Sequence, residues 1–217
     1  MTARKGPKNP GDLAELDSAR STQAERREAA ERAILEAAKQ IVAEKGLDEL
    51  TLNEAGELAG YSRALPAHYF KTKSALLAAL ADHIMESYSI RVREAIEPSD
   101  GIERLLERVA FIFDDGCRNP QSLRAFQAIL AGGLTRPELA PLVARLNHES
   151  IDGFASLIKR ARERGEVRAN ARPRAEASII LASIRGVMFQ WLIDPNHVPL
   201  SRVRDSLVEN IRKSLAP

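Results

Sequence analysis

The chain has little of what most protein chemistry requires. One cysteine, Cys117, stands among 217 residues, which excludes an intramolecular disulfide and any multi-cysteine metal site and fits a reducing compartment. The four histidines, His68, His83, His148 and His197, are scattered, and none pairs with a carboxylate or cysteine at ligand spacing. No phosphate-cradling glycine loop and no nucleophile elbow occurs. An enzyme is therefore not expected, nor is a bound metal or cofactor. No window approaches about 18 uninterrupted apolar residues, the length a membrane-spanning helix needs. The basic start MTARKGPKNPG is followed by no apolar run, so it does not read as a signal peptide. The cytoplasm is the expected compartment, with no membrane partner. A dominant charge is lacking too: 32 Lys and Arg against 30 Asp and Glu leave a formal net charge of +2.

What remains is helix. Hydrophobic residues make up 44% and charged residues 29%, the balance of a globular chain with a real core. Apolar stripes of helical period run over Thr22–Lys45, Gly101–Cys117, Gln121–Leu130, Leu142–Arg164, Pro173–Ile193 and Ser201–Leu215, and Pro, Gly or Asn separates the later ones. A further helix opens at Lys73 or Ser74 and runs to about Glu97, before Pro98. No strand alternation appears, so the fold expected is all-α. Residues 1–21 are polar, with Pro, Gly and an early cluster of Arg4, Lys5 and Lys8. They read as a disordered basic arm, either a minor-groove arm beside a DNA-reading unit or a plain unstructured leader. The expected units are that arm, a DNA-binding domain over 22–73, and a C-terminal ligand-binding and dimerisation domain over 74–217.

The most informative stretch is TLNEAGELAGYSRALPAHYFKTK, residues 51–73. Thr51 is placed to cap Leu52–Leu58, with Glu54 at the spacing of a capping box. Ala59-Gly60 breaks the run, and Ser62 can cap a second helix. Two short helices joined by a Gly-containing turn make a helix-turn-helix, whose second helix can enter a major groove. Between Glu57 and Asp82 there is no acidic residue, whereas Arg63, Lys71 and Lys73 are present; such a patch reads as a phosphate-facing surface or as an ordinary solvated basic face.

Taken together, ERAILEAAKQIVAEKGLDELTLNEAGELAGYSRALPAHYFKTKSALLAAL resembles the N-terminal domain of the tetracycline-repressor (TetR) family. Ile34-Leu35, Ala37-Ala38, Gly46, Thr51, Ala59-Gly60, Ser62, Phe70, Lys73 and Leu76 carry the likeness. The resemblance implies a homodimeric regulator, usually a repressor, that leaves a pseudo-palindromic operator in double-stranded DNA when a small molecule binds. It places Thr51 near a phosphate, Ser62, Arg63, Ala64 and Leu65 at the head of the recognition helix, and Lys73 on the backbone. Several positions depart from the pattern. Ala55-Gly56 replaces a usual Ile-Ala, Val42 replaces a common Phe, Ala67 stands where a Tyr often touches phosphate, and Tyr69 stands where His is common. Pro66 is awkward: with Ser62 as cap, it falls just past the first turn, where its ring and missing N–H are costly. The helix then begins later than the family norm or opens with a tighter turn.

For base readout Arg63 is the candidate, because its fork matches guanine O6 and N7; the alternative is a phosphate clamp. His68, Tyr69 and Lys73 suit positioning. In the C-terminal half, Ser178, Ala182 and Gly186 form a small-residue line expected at a dimer interface, with Ile180, Ile184 and Met188 opposite. Leu207 and Ile211 belong to a second stripe expected to join it, although an intra-chain core explains the same pattern. Phe113, Cys117, Phe126, Leu130, Phe154, Met188 and Trp191, with Phe111 and Ile158, are candidates for a ligand pocket, or for plain core, and Asn147, His148 and Glu149 for polar selectivity. The apolar bias favours an apolar or amphipathic ligand. Two other readings stay open: a helical dimer that has lost DNA binding, and a thiol sensor through Cys117.

Overall fold

Each apolar stripe becomes one helix. In the computed structural model, residues 10–96 and 100–217 are described, and they form nine α-helices and no strand. In chain order these are α1 (Pro10–Lys45), α2 (Leu52–Leu58), α3 (Leu65–Phe70), α4 (Lys73–Ala95), α5 (Gly101–Arg118), α6 (Pro120–Gly132), α7 (Ala140–Glu163), α8 (Pro173–Ile193) and α9 (Leu200–Leu215).

The first helix differs from expectation. It begins at Pro10, not Thr22, so it reaches into the stretch read as a disordered arm. Pro is tolerated at a helix start, and the run after it is rich in Ala, Leu, Glu and Arg, all good helix formers. Arg4, Lys5 and Lys8 lie outside the described residues.

Two apolar clusters hold the helices together. One joins the C-terminal half of α1 to α2, α3 and the first half of α4, through Ile34, Ala38, Leu50, Phe70, Leu76 and Leu80. It does not end at Lys73: α6 adds Ala125 and Ile129, and α7 adds Leu146. Each such fully buried Leu or Ile contributes about 1.5–3 kcal/mol, so helices of the C-terminal half help to hold the helix-turn-helix. Arg136, after α6, reinforces this by donating to Asp48 before α2 at 2.6 Å, and that bond holds the Asp48 carboxyl below its usual range. The other cluster joins α5, α7, α8 and α9 through Leu105, Phe113, Phe154, Ile158, Ile184 and Ile211.

Helix α8 is long and apolar enough, by length and composition, to cross a membrane. Here its inner side lies on α5, α7 and α9 through Ala177, Ile180, Ile184 and Met188. Only 28% of its apolar window is buried, so one side of this helix has no cover within the described chain. Ile179, Phe189 and Ile193 on that side are 62%, 51% and 69% exposed.

Candidate nucleic-acid interface and interior cavity

Thr51 takes an extended conformation and caps α2, its hydroxyl accepting from Glu54 N at 3.1 Å. The same hydroxyl donates to the Glu54 carboxylate at 3.1 Å. At the other end, Tyr61 N donates to Gly56 O at 2.9 Å and Gly60 N to Glu57 O at 3.0 Å. This paired arrangement closes a helix with a left-handed residue, and Gly60 supplies it with a φ of 78°.

The recognition helix starts after the expected point. Ser62 does not cap it: the Ser62 carbonyl accepts from Leu65 N at 3.0 Å, and Ala64 is the cap residue, without a side-chain bond. Ser62, Arg63 and Ala64 thus belong to the turn. Pro66 falls in the first turn of α3, where no intrahelical N–H is missed, so its ring costs the helix nothing there. Its ring lies against Gly56 of α2. A Cβ built on Gly56 would meet Pro66 Cδ at 2.8 Å, Pro66 Cγ at 2.9 Å and Ser62 O at 2.8 Å. The two departures from the family pattern are one contact: Gly56 leaves the room that Pro66 fills.

Helix α3 buries Pro66 and Phe70 and leaves Ala64, Ala67, His68 and Lys71 exposed, residues whose spacing puts them on one face. Leu65 and Tyr69, two of the expected DNA contacts, are instead packed against the N-terminal cluster. Tyr69 lies beside the Phe70 ring, centroids 6.0 Å apart, with the Arg27 guanidinium 5.7 Å over its own ring. Both are thus turned towards the N-terminal cluster, in a helix whose cap lies at Ala64, two residues after the expected Ser62. Arg63 is exposed and paired with Glu57, Nη2 to Oε2 at 2.8 Å, and the carboxylate's hydrogen bond raises the guanidinium pKa further.

Beside this face, the N-termini of α2 and α4 converge. Leu50, Thr51, Asn53, Lys71, Thr72 and Lys73 surround a shallow surface depression. Helix α4 opens at Lys73, as expected, and Thr72 before it is the cap, its hydroxyl accepting from Ala75 N at 3.1 Å; a Thr before a helical run is the signal for this cap in the sequence. Lys73 Nζ donates to Asp48 O at 3.1 Å. Between α3 and α4, Lys71 has a φ of 58° and Thr72 N donates back to Phe70 O at 2.5 Å. A non-glycine residue held there is strained by about 1–3 kcal/mol. Helix N-termini with lysines beside them attract phosphate.

In the C-terminal half a cavity of about 130 Å³ opens among α4, α5, α6, α7 and α8, on the order of a space that admits a benzene ring. Of the expected lining residues, Phe126, Phe154 and Met188 reach it. Phe113, Cys117, Leu130 and Trp191 do not: Phe113 and Trp191 pack in the C-terminal cluster, Leu130 packs in the N-terminal one, and Cys117 is exposed. Partial burial and the Asp114 carboxylate push the Cys117 thiol up, which disfavours a reactive thiolate. Of the expected polar candidates, none lines the cavity, but Asn147 accepts a hydrogen bond from Arg185, which does.

The cavity's polar groups went unread in the sequence. The charged ones and the tyrosine are Tyr88 and Arg91 on α4, Arg108 and Asp115 on α5, and Arg185 on α8; Asn119, Ser122, Gln127 and Ser150 add neutral polar groups. Asp115 is 6% exposed and receives both Arg91 Nε at 2.6 Å and Arg91 Nη2 at 2.9 Å. A charge inside an otherwise apolar helix, as at Arg185, was the signal that could have found them.

The outer side of α8 carries Ile179, Ala182, Gly186, Phe189 and Ile193 at alternating spacings of three and four, with Ser178 alongside; all six are exposed. Gly186 faces open space, since a Cβ built there meets nothing within 4 Å. Leu207 and Ile211 do not join this surface. Ile211 is 5% exposed and Leu207 packs on the chain's own cluster, because α9 has a single apolar stripe and spends it on its own core.

Comparison with known proteins matches residues 34–80 to the profile "Bacterial regulatory proteins, tetR family" and residues 101–216 to "BetI-type transcriptional repressor, C-terminal". The chain is 26% identical over 203 residues to the transcriptional repressor BepR of Brucella suis, covering 89% of this chain and 96% of that protein. A TetR-family regulator structure from Rhodococcus sp. superposes with a TM-score of 0.79 at 22% identity, over 87% of this chain and 100% of that one. The triclosan complex of SmeT, a Stenotrophomonas maltophilia efflux-pump repressor, superposes with a TM-score of 0.75 at 23% identity, over 87% and 92%.

Proposed function

The chain belongs to the TetR family of bacterial transcription regulators, and from that premise we propose that it is a homodimeric repressor which holds a pseudo-palindromic operator and leaves it when a small molecule fills the interior cavity. It is a regulator and not an enzyme. The observation that carries the reading is the shared use of α4. Its cap Thr72 and first residue Lys73 edge the depression beside the recognition helix, and Ile84, Met85, Tyr88 and Arg91 further along line the cavity. From Lys73 to Arg91 the helix spans about 27 Å at 1.5 Å per residue. A ligand that shifts the far end of a rigid helix moves the near end as well.

On DNA, α3 presents Ala64, Ala67 and His68 to the groove, Arg63 leaves Glu57 for a base edge or a phosphate, and the caps Thr51 and Thr72 with Lys71 and Lys73 hold the backbone. Cytoplasmic placement follows from that role. The dimer forms through α8: its three-four spacing is that of a helix pair packed knobs-into-holes, and Ala182 and Gly186 let two axes approach closely. Two heads then address half-sites about one helical turn apart, or a multiple of it.

A mobility-shift titration with DNA upstream of the protein's own gene tests the proposal. Selective binding by a dimer, relieved by a cavity ligand, is expected. A folded dimer that selects no DNA would instead make it a binding module without an operator, a reading favoured only by the short side chains on the α3 face.

A further inference from the structure

The cavity's walls and its charges make different demands on an occupant. Ile84, Met85, Ile112, Phe126, Leu181 and Ile184 supply apolar surface. Against that surface stand the guanidiniums of Arg91, Arg108 and Arg185, and among the described lining residues one carboxylate, Asp115, answers them. Asp115 is taken up by Arg91 through both of its oxygens, and Asn119 Nδ2 also donates to it at 3.0 Å.

Arg108 and Arg185 are left without a carboxylate among the described residues. The Arg108 guanidinium is stacked 5.1 Å from the Phe154 ring centroid, and its Nε is buried with no hydrogen-bond partner. Arg185 donates to the neutral side-chain oxygen of Asn147, and burial lowers its pKa, with no opposing charge to restore it. The Tyr88 hydroxyl is buried and unpartnered too, and burial pushes it up, so it keeps its proton and remains a donor. Buried donors without acceptors are costly and native proteins seldom retain them without a use. The unmet atoms described in this cavity, Arg108 Nε and the Tyr88 hydroxyl, can both donate, and Arg108 and Arg185 are cations that no described carboxylate neutralises.

We propose that the effector is an amphipathic anion, an aromatic or short aliphatic carboxylate, whose acid group is clamped by Arg108 and Arg185 with the Tyr88 hydroxyl and whose apolar body lies against α4, α6 and α8. This rests on the regulator reading above and names the chemical class that its cavity selects. Guanidiniums match a carboxylate's two oxygens, and the apolar walls exclude water that would otherwise screen the pair. A quaternary ammonium or another organic cation meets uncompensated positive charge at the same place and is rejected.

The test is isothermal titration of the full-length protein with three matched sets of probes. The anions are benzoate and hexanoate, the neutral counterparts are benzamide and hexanamide, and the cations are choline and benzyltrimethylammonium. At least one carboxylate is expected to bind tenfold or more tightly than its amide, and neither cation is expected to bind. Arg108→Gln and Arg185→Gln should each remove most of that tenfold preference while leaving amide binding within about twofold, an outcome that loss of folding cannot mimic. Equal binding of acid and amide, a tighter cation, or no carboxylate binding overturns the inference. The regulator reading fails separately, on absence of selective DNA binding; a cation that binds and releases DNA would overturn the charge assignment and leave that reading standing.

Discussion

Replacing Gly56 by Ala sets two effects of opposite sign against each other. Within a helix, Ala is favoured over Gly by about 1 kcal/mol, and Ala is what the family pattern carries at this place. Propensity alone predicts a more stable protein. The structure predicts the reverse, because the new methyl would lie 2.8 Å from Pro66 Cδ and 2.8 Å from Ser62 O. Neither neighbour is the free end of a flexible side chain: one belongs to a closed ring and the other to the backbone of the turn. Overpacking of this kind costs about 1–3 kcal/mol, towards the upper end when nothing can swing aside, so a net loss of about 1–2 kcal/mol is expected for Gly56→Ala. Pro66→Ala removes the ring and should rescue part of that loss. The double variant should therefore be more stable than the sum of the singles by about 1 kcal/mol, within the range seen for residues in contact. Urea unfolding followed by circular dichroism, at one fixed protein concentration because dimerisation adds its own term, measures all four corners. If Gly56→Ala raises the midpoint, or if the two changes simply add, the contact does not govern how α3 is set.

Four shorter predictions go with it. Arg63→Ala should relax preference at one base pair per half-site at a cost of about 1–3 kcal/mol, read by a substituted-operator panel; a uniform loss across all sequences means Arg63 only holds phosphate. Lys71→Gly should raise the unfolding midpoint, relieving about 1 kcal/mol of backbone strain, while weakening all DNA sequences equally and lowering the salt slope by about 1 per contact; an unchanged midpoint refutes the strain. Gly186→Arg should give a folded monomer by sedimentation, since the position faces open space within the chain, and operator binding should be lost with it; a persisting dimer rules out this face of α8. In acid, hydrogen bonding from Arg212 holds Glu103 below the usual carboxylate range, as that from Arg136 holds Asp48. Such groups stabilise fully above the ordinary carboxylate pKa of about 4 and lose that contribution as pH falls through their depressed values. An acid titration should show the loss on that side only, and Arg212→Gln should shrink it.

The elements that rest on local rules were legible in the sequence. Thr51 with Glu54, the Gly60 break and the apolar stripes of α5 through α9 each state their structure within a few residues, because caps, turns and helical period are short-range physics. What escaped depends on partners far away in the chain. Ser62 is a good cap by type, and it lost that role because Pro66 and Gly56 fix where α3 begins. Leu65 and Tyr69 look like DNA contacts until packing turns them towards the N-terminal cluster. The stripe of α9 has the form of an interface, and only the packing on α5 shows that Ile211 is used at home. The cavity was hardest to see, since its charged groups come from α4, α5 and α8 and converge only in the folded chain. Aromatic residues draw attention to Phe113, which is core, and Trp191, which packs half-buried on it, while Arg108 and Arg185 look like ordinary surface charge.

The proposed coupling of cavity and DNA face through α4 has a thermodynamic consequence beyond signalling. Free-energy coupling is reciprocal: whatever factor the effector takes from operator affinity, the operator must take from effector affinity. The affinity measured on free protein therefore exceeds that of the DNA-bound protein by the coupling factor. A promoter with strong half-sites then needs more effector to open than one with weak half-sites. One repressor can thus set different thresholds at different operators, with no change in its cavity.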